Sequence, residues 1–320
     1  RDTHKAVGRL LNIRCVFVEK DRQAYGRLKA FADSVKDAEI KTIPGEFENA
    51  IDEIIKFVNE DRETFPFALI DPTGPSGFAM ERIAPLLNLR PGEVLINFML
   101  EFIRRFIEQR DLRKSFEELF GTADLDEFFS ALSRVDGVDR DDLITEKYCS
   151  CLSASGAYPH VLRASVFHPD QDRLYFQLIY ATRNIKGVEV FKRTEAKAMK
   201  SQELQRAHVE ARRRQKGGQR SFLNPDEMPE SRFYESLRLR YANQARASVI
   251  STINRDHQTP YDRLWLCALS YPMVWESDLR SWLKEWRDQG LIEWHGLAPR
   301  GRELMRGKDH SVALTADKLE

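Results

Sequence analysis

The chain has 320 residues, 42% of them hydrophobic and 31% charged, with 50 basic against 50 acidic side chains and a formal net charge of zero. That length supports one large domain plus a small one rather than a single small core. The balanced charge gives no global pull toward nucleic acid or anionic membranes, so such a partner must be met by a local basic patch. Apolar runs such as Val94 to Leu100 are far too short to span a bilayer, and no charged-then-apolar leader opens the chain; a cytoplasmic protein with no membrane partner is expected.

Ile13 to Val18 is a short β-branched and aromatic run that reads as a strand, and Asp21 can cap a following helix in which Tyr25, Leu28 and Phe31 recur at helical spacing. Glu39 to Ile43 reads as a second strand, closed by Pro44-Gly45. Ala50 to Val58 sets Ile51, Ile54, Ile55 and Val58 on one helical face. Phe67 to Ile70 is a third strand, stopped by Asp71-Pro72-Thr73-Gly74-Pro75-Ser76-Gly77, which no helix or strand interior tolerates. Met80 to Leu87 reads as a helix, Glu93 to Phe98 as a fourth strand, and Leu100 as the start of a long helix. Such alternation builds βαβ units and predicts an α/β, doubly wound Rossmann-like parallel sheet covered on both faces. Ser115 to Ser133 reads as a helical insertion. Val161 to Phe167 and Leu174 to Ala181 form an expected antiparallel pair at the sheet edge, joined through His168-Pro169-Asp170, and Val188 to Met199 is helical. This region is expected to occupy residues 1–204.

Composition shifts at Gln205. Arg212-Arg213-Arg214-Gln215-Lys216 is read either as a solvated helix end and linker or as an arm whose Arg212, Arg213, Arg214 and Lys216 engage phosphates. Residues 205–255 are expected to hold this basic linker and a helix from Arg232. Residues 256–316 have the sequence shape of a winged helix-turn-helix: Tyr261 to Ser270, the amphipathic Glu276 to Gln289, then Gly290-Leu291-Ile292-Glu293-Trp294. Arg280 and Lys284 are the candidate nucleic-acid contacts there, while Asp278, Glu285 and Asp288 keep a protein-docking role open.

In doubly wound folds ligands bind at the carboxyl ends of strands. Glu19 ends the first strand, where a carboxylate can accept two hydroxyl hydrogen bonds from a ribose. Gly45-Glu46-Phe47 follows the second and offers a turn, a carboxylate and an aromatic face suited to adenine. Asp71-Pro72-Thr73-Gly74 follows the third as a constrained loop, and Asn97 closes the fourth. Acids also end strands as caps and turn formers, so a structural reading stands beside the ligand reading. A glycine-rich loop is expected before the Glu19 strand, but only Gly8 precedes Ile13; either the loop lies upstream of Arg1 or a different pocket is used. Four cysteines stand at 15, 149, 151 and 267 with no zinc-site spacing, so no metal is expected and the thiols fit a reducing compartment. His168 reads as a turn residue, and Arg104-Arg105 as an exposed pair on a helix.

The series Cys-Val-Phe-Val-Glu-Lys-Asp, Pro-Gly-Glu-Phe, Ala-Leu-Ile-Asp-Pro-Thr-Gly-Pro-Ser-Gly, Glu-Val-Leu-Ile-Asn-Phe-Met and Leu-Ile-Tyr-Ala-Thr-Arg-Asn-Ile-Lys-Gly resembles the three-Cys-motif partner proteins, from about Ile13 to Arg300. The resemblance implies a class I methyltransferase-like domain with S-adenosylmethionine as cofactor, and a partner protein that carries a three-cysteine motif. The family's opening strand and Phe-Ala-Gly-Pro-Gly type loop are not present in this sequence. Carried over by position, Glu19 holds the cofactor ribose, Glu46 with Phe47 flanks adenine, and Asp71, Pro72, Thr73 and Gly74 form the catalytic loop. Amino-group methyltransferases use Asp-Pro-Pro-Tyr or Asn-Pro-Pro-Tyr there; Asp71 and Pro72 match, whereas Thr73-Gly74 departs and removes the ring that stacks on a flipped base. Phe78 and Phe98 are the nearest substitutes. The expected function is methyl transfer on or with DNA or RNA. The alternative is a non-catalytic nucleotide-binding fold and winged helix that recruits a partner. A nuclease or phosphotransferase site at Asp71, with Glu46 as a second metal-binding carboxylate, ranks last, for want of a further acid at a strand end.

Overall fold

A computed structural model of the chain describes residues 11–72, 79–216, 231–298, 301–315 and 319, apart from the side chains at 110, 210 and 213–216. β1 (Arg14–Glu19) and β2 (Glu39–Pro44) run parallel, joined by α1 (Arg22–Ser34), which Asp21 caps by accepting the Ala24 amide at 2.7 Å. α2 (Phe47–Asn59) buries Ala50, Ile51, Ile54 and Phe57, and its aliphatic residues meet Ile43 and Leu86 in a small core of their own. A second parallel pair follows: β3 (Phe67–Ile70) and β4 (Glu93–Phe98), connected through α3 (Met80–Leu87). β5 (His160–Phe167) and β6 (Leu174–Thr182) pair antiparallel, and β6 lies against β4 in the order β3-β4-β6-β5.

The chain is therefore a mixed α/β protein, but the two parallel pairs stand in separate sheets rather than the one continuous sheet that the alternation predicts. Among the described residues, β1 and β3 each have one hydrogen-bonded neighbour only. β5 and β6 are buried on both faces, through Leu162–Ser165 and Ile179–Thr182, but the edge strand β3 and the β1–β2 pair are not. Phe67 and Leu69 on β3 are 54% and 63% exposed, and Phe17, Phe31 and Phe65 are likewise bare. Alternation reports how strands connect; it does not report what lies on each face.

The helix from Leu100 is shorter than its apolar run promises. α4 spans Leu100–Phe106 and gives way to a 3-10 turn at Arg110–Leu112. The insertion is two helices, α5 (Arg113–Phe120) and α6 (Asp126–Leu132). Gly121, at φ 65°, ends α5 by donating to Glu118 while Thr122 donates to Glu117, and a Cβ there would stand 2.8 Å from that of Met80. α7 (Gly137–Gly156) then runs for 20 residues. α8 (Ile185–Lys216) continues for 32 residues through Gln205, where a composition shift marks an expected boundary. The C-terminal module holds α9 (Arg232–Asp256), α10 (Tyr261–Leu269), α11 (Glu276–Asp288) and a small antiparallel sheet of β7 (Gln258–Pro260), β8 (Ile292–His295) and β9 (Ser311–Leu314), ordered β7-β9-β8.

One hydrophobic core runs from Ile70 through the four-stranded sheet and the C-terminal module to Leu319. A buried ion pair fastens the two: Lys192 and Glu195 on α8 meet at 2.5 Å, Lys192 donates to the Tyr271 carbonyl, and Glu195 accepts the Met273 amide. Burial holds the Lys192 pKa down and the Glu195 pKa up, each against the pull of its partner. Among the described residues no helix is long and apolar enough to cross a membrane.

Candidate functional site

The strand-end residues fall into two groups. Ile70 and Ile96 are ladder partners in the parallel β3–β4 pair, which sets the next residues, Asp71 and Asn97, side by side. The Asn97 amide nitrogen donates to Asp71 Oδ1 at 2.7 Å. That orientation is the one electrostatics demands, because Asn97 Oδ1 facing a carboxylate would set two acceptors against each other. It leaves Asn97 Oδ1 buried without a partner among the described residues, beside an exposed carboxylate. A buried acceptor left unpaired costs about 1–3 kcal/mol. Pro72, next in the chain after Asp71, is buried. Thr73, Gly74 and Phe78 lie outside the described residues. Phe98 packs inward on Tyr148, ring centroids 4.6 Å apart, and is fully buried, so it presents no face to a base.

The other group lies at the ends of β1 and β2, where the Gly45 amide donates to the Glu19 carbonyl at 3.0 Å. Gly45 has φ 132°, a backbone that L side chains rarely adopt. Glu19 is half-buried, and its Oε1 accepts the Asp21 amide at 2.8 Å, the turn-forming role that acids often take. Its second carboxylate oxygen has no hydrogen-bond partner among the described residues. Glu46 is exposed at the N-cap position of α2 without a side-chain cap bond, and Phe47 is partly buried against both cores. Glu19, Gly45, Glu46 and Phe47 are thus neighbours, as are Asp71 and Asn97, but the two groups belong to different sheets.

Other singled-out residues have structural work. Arg104 donates to both carboxylate oxygens of buried Asp141, at 2.7 and 2.6 Å, and is not free for phosphate. His168 Nδ1 accepts the Asp170 amide in its turn. Cys149 and Cys151 lie within α7, and burial pushes the Cys149 thiol up to about 12, away from metal binding or redox chemistry. Among the described residues no cluster of three or more His, Cys, Asp or Glu could hold a metal ion. The Ala-Thr-Arg-Asn segment lies at the other end of the sheet from Asn97, since the Thr182 hydroxyl donates to Glu93 at the start of β4. Arg183 donates to the carbonyls of Leu87, Leu89, Gly92 and Gly156 and stacks on Tyr158 at 4.0 Å. It ties the ends of α3 and α7 together.

The C-terminal module holds a feature that adds Arg287 and Arg302 to the expected contacts Arg280 and Lys284. A cavity of about 220 Å³ opens between α11, Trp294 of β8 and residues 302–304, lined by Arg280, Lys284, Arg287, Trp294, Arg302 and Glu303 among others. The signal for it in the sequence is the i, i+4, i+7 spacing of the three cations on α11, hidden among acids at Asp278, Glu285 and Asp288. Of the basic arm, Arg212 is exposed on α8, and the side chains of Arg213, Arg214 and Lys216 lie outside the described residues. No known family model, curated protein or solved structure matches the chain.

Proposed function

We propose that the chain is a methyltransferase-like protein, Rossmann-like with a C-terminal winged helix, that binds S-adenosylmethionine and acts on or with nucleic acid alongside a three-cysteine-motif protein. The observation that carries the reading is the Asp71–Asn97 pair, two side chains joined at 2.7 Å at the carboxyl ends of adjacent parallel strands with one buried acceptor unspent. An amine entering there would donate its hydrogens to Asp71 and to Asn97 Oδ1, which points its lone pair away from both. The cofactor, when bound, supplies the electrophilic methyl group. Glu19 would hold its ribose through the carboxylate oxygen that meets no partner among the described residues, and Phe47 with Glu46 would meet its adenine. The placing of β6 antiparallel between β4 and β5 supports the same fold reading.

Calorimetric titration of S-adenosylmethionine and S-adenosylhomocysteine tests the proposal. Glu19→Ala is expected to weaken cofactor binding at least about tenfold, the cost of losing charge-assisted bonds to hydroxyls, and Asp71→Ala to leave it within about twofold. Absence of binding by the unmodified protein overturns the cofactor reading. One observation favours the non-catalytic alternative: the cavity described above lies in the C-terminal module, not beside Asp71. Partner binding without cofactor binding would establish that alternative.

A further inference from the structure

The cavity beside α11 is a cationic cleft in a chain of zero net charge. Arg280, Lys284 and Arg287 recur at i, i+4 and i+7, which places them along one side of the helix. Two of them are held in place. Arg280 is fixed by Glu276 at 2.8 Å and by Glu303 at 2.9 Å, and Arg287 lies over the Trp294 ring at 3.9 Å and bonds Asp288 at 3.2 Å. The other two cations of the cleft, Lys284 and Arg302, are exposed and meet no carboxylate among the described residues. Glu303 is the one acid in the lining, against four cations. Two oriented cations and two uncommitted ones around a cleft constitute an anion site.

Size and shape narrow the anion. A volume of about 220 Å³ is below the roughly 300–1,000 Å³ of pockets that enclose small ligands, so the cleft takes a phosphate with part of a sugar, not a whole nucleotide. The rest of the ligand must lie outside, along the exposed side of α11 that carries Ser277 and Ser281. Single strands are gripped by stacking on open aromatic faces, and here Arg287 already covers Trp294. The deep, narrow major groove of duplex RNA does not admit a helix, whereas that of duplex DNA does. We infer that this cleft seats a backbone phosphate of duplex DNA, with Lys284 and Arg302 as its principal contacts and α11 facing the major groove. The inference rests on the nucleic-acid half of the proposed function and is independent of the cofactor.

The test is fluorescence anisotropy with a short labelled DNA duplex, without cofactor, across a range of salt concentrations. The double variant Lys284→Glu/Arg302→Glu is expected to bind at least about tenfold more weakly and to show a salt slope smaller by about two, because two phosphate contacts are lost. Arg27→Glu/Lys29→Glu, the same charge change on exposed residues of α1, is expected to leave affinity within about twofold. Glu303→Gln, which removes the lining carboxylate, is expected to tighten binding about threefold. Thermal midpoints within about 2 °C of wild type would show that the variants fold, as their exposed positions lead one to expect. Equal losses in the α11 and α1 double variants would overturn the site. So would no binding at low salt, or tighter binding of single-stranded DNA or duplex RNA. Each of these leaves the calorimetric titration of cofactor untouched, so the two proposals fail separately.

Discussion

Arg183 donates to four carbonyls, among them Leu87 and Leu89 at the end of α3 and Gly156 at the end of α7, where helix geometry leaves carbonyls without an intrahelical partner. One planar guanidinium satisfies several of them at once, and its face rests on Tyr158. Arg183→Ala orphans these oxygens together, and the expected loss is about 3 kcal/mol, seen as a lower urea midpoint at unchanged slope. Arg183→Lys should recover less than half, since an ammonium cannot span carbonyls set around a fork. A loss below about 1 kcal/mol for the alanine variant would show that water replaces the clamp. The same residue marks a limit of sequence reading: it sits in the Ala-Thr-Arg-Asn segment that carries part of the family resemblance, yet its work here is to join helix ends far from Asp71. Motif residues and proposed site residues coincide at Asp71 and Asn97 but part company at Arg183, because a motif records any demanding geometry, chemical or structural.

At the scale of elements, β3 exposes Phe67 and Leu69 on one face while Ile70 on the other is buried in the main core. Exposed apolar side chains on a strand whose outer edge is unpaired among the described residues favour self-association and contribute little to the fold. Leu69→Lys is therefore expected to shift the thermal midpoint by no more than about 2 °C and to lower the association seen by analytical ultracentrifugation at high concentration. A drop of more than about 5 °C would mean that something covers this face in solution. The strand itself was plain from sequence, as were α3 and β4, because each is a short apolar block bounded by proline, glycine or charge. α7 was not. Its buried positions include Asp141, Asp142 and Thr145 as well as Tyr148 and Leu152, so its inward face does not read as apolar. Those acids are buried because cations meet them across the fold, Arg104 on Asp141 and Arg163 with Arg240 on Asp142, where the Tyr241 hydroxyl also donates. Periodicity finds helices whose buried face is oily and misses those whose buried face is ionic. The same holds for α8, whose polar far half continues the helix across a composition change that reads as a linker.

Across the whole molecule, stability is unevenly shared. The β1–α1–β2–α2 segment depends on a small cluster of Ile43, Ala50, Ile51, Ile54 and Leu86, and α1 has no buried residue at all. The four-stranded sheet and the C-terminal module instead share one core, reinforced by Lys192–Glu195, by Arg238 on Asp278 and by Arg306 on Glu189. Local opening free energy follows buried apolar contact, so the first segment should open without the rest. Native-state hydrogen exchange checks this directly. Amides of β1 and β2 are expected to exchange through an opening at least about 2 kcal/mol below the global value, while those of β4, β6, α9 and α11 exchange together at the global value. Equal protection in β1 and β4 would show that the two sheets unfold as one unit and that the small cluster understates what holds the first. Separate exchange of β4 and α11 would show that the buried ion pair does not couple sheet and module. If the expected order is found, adding S-adenosylmethionine gives a second reading from the same experiment: a ligand held by Glu19 and Phe47 binds only the closed form of the weak segment, and so must raise the protection of β1 and β2 before that of any other strand.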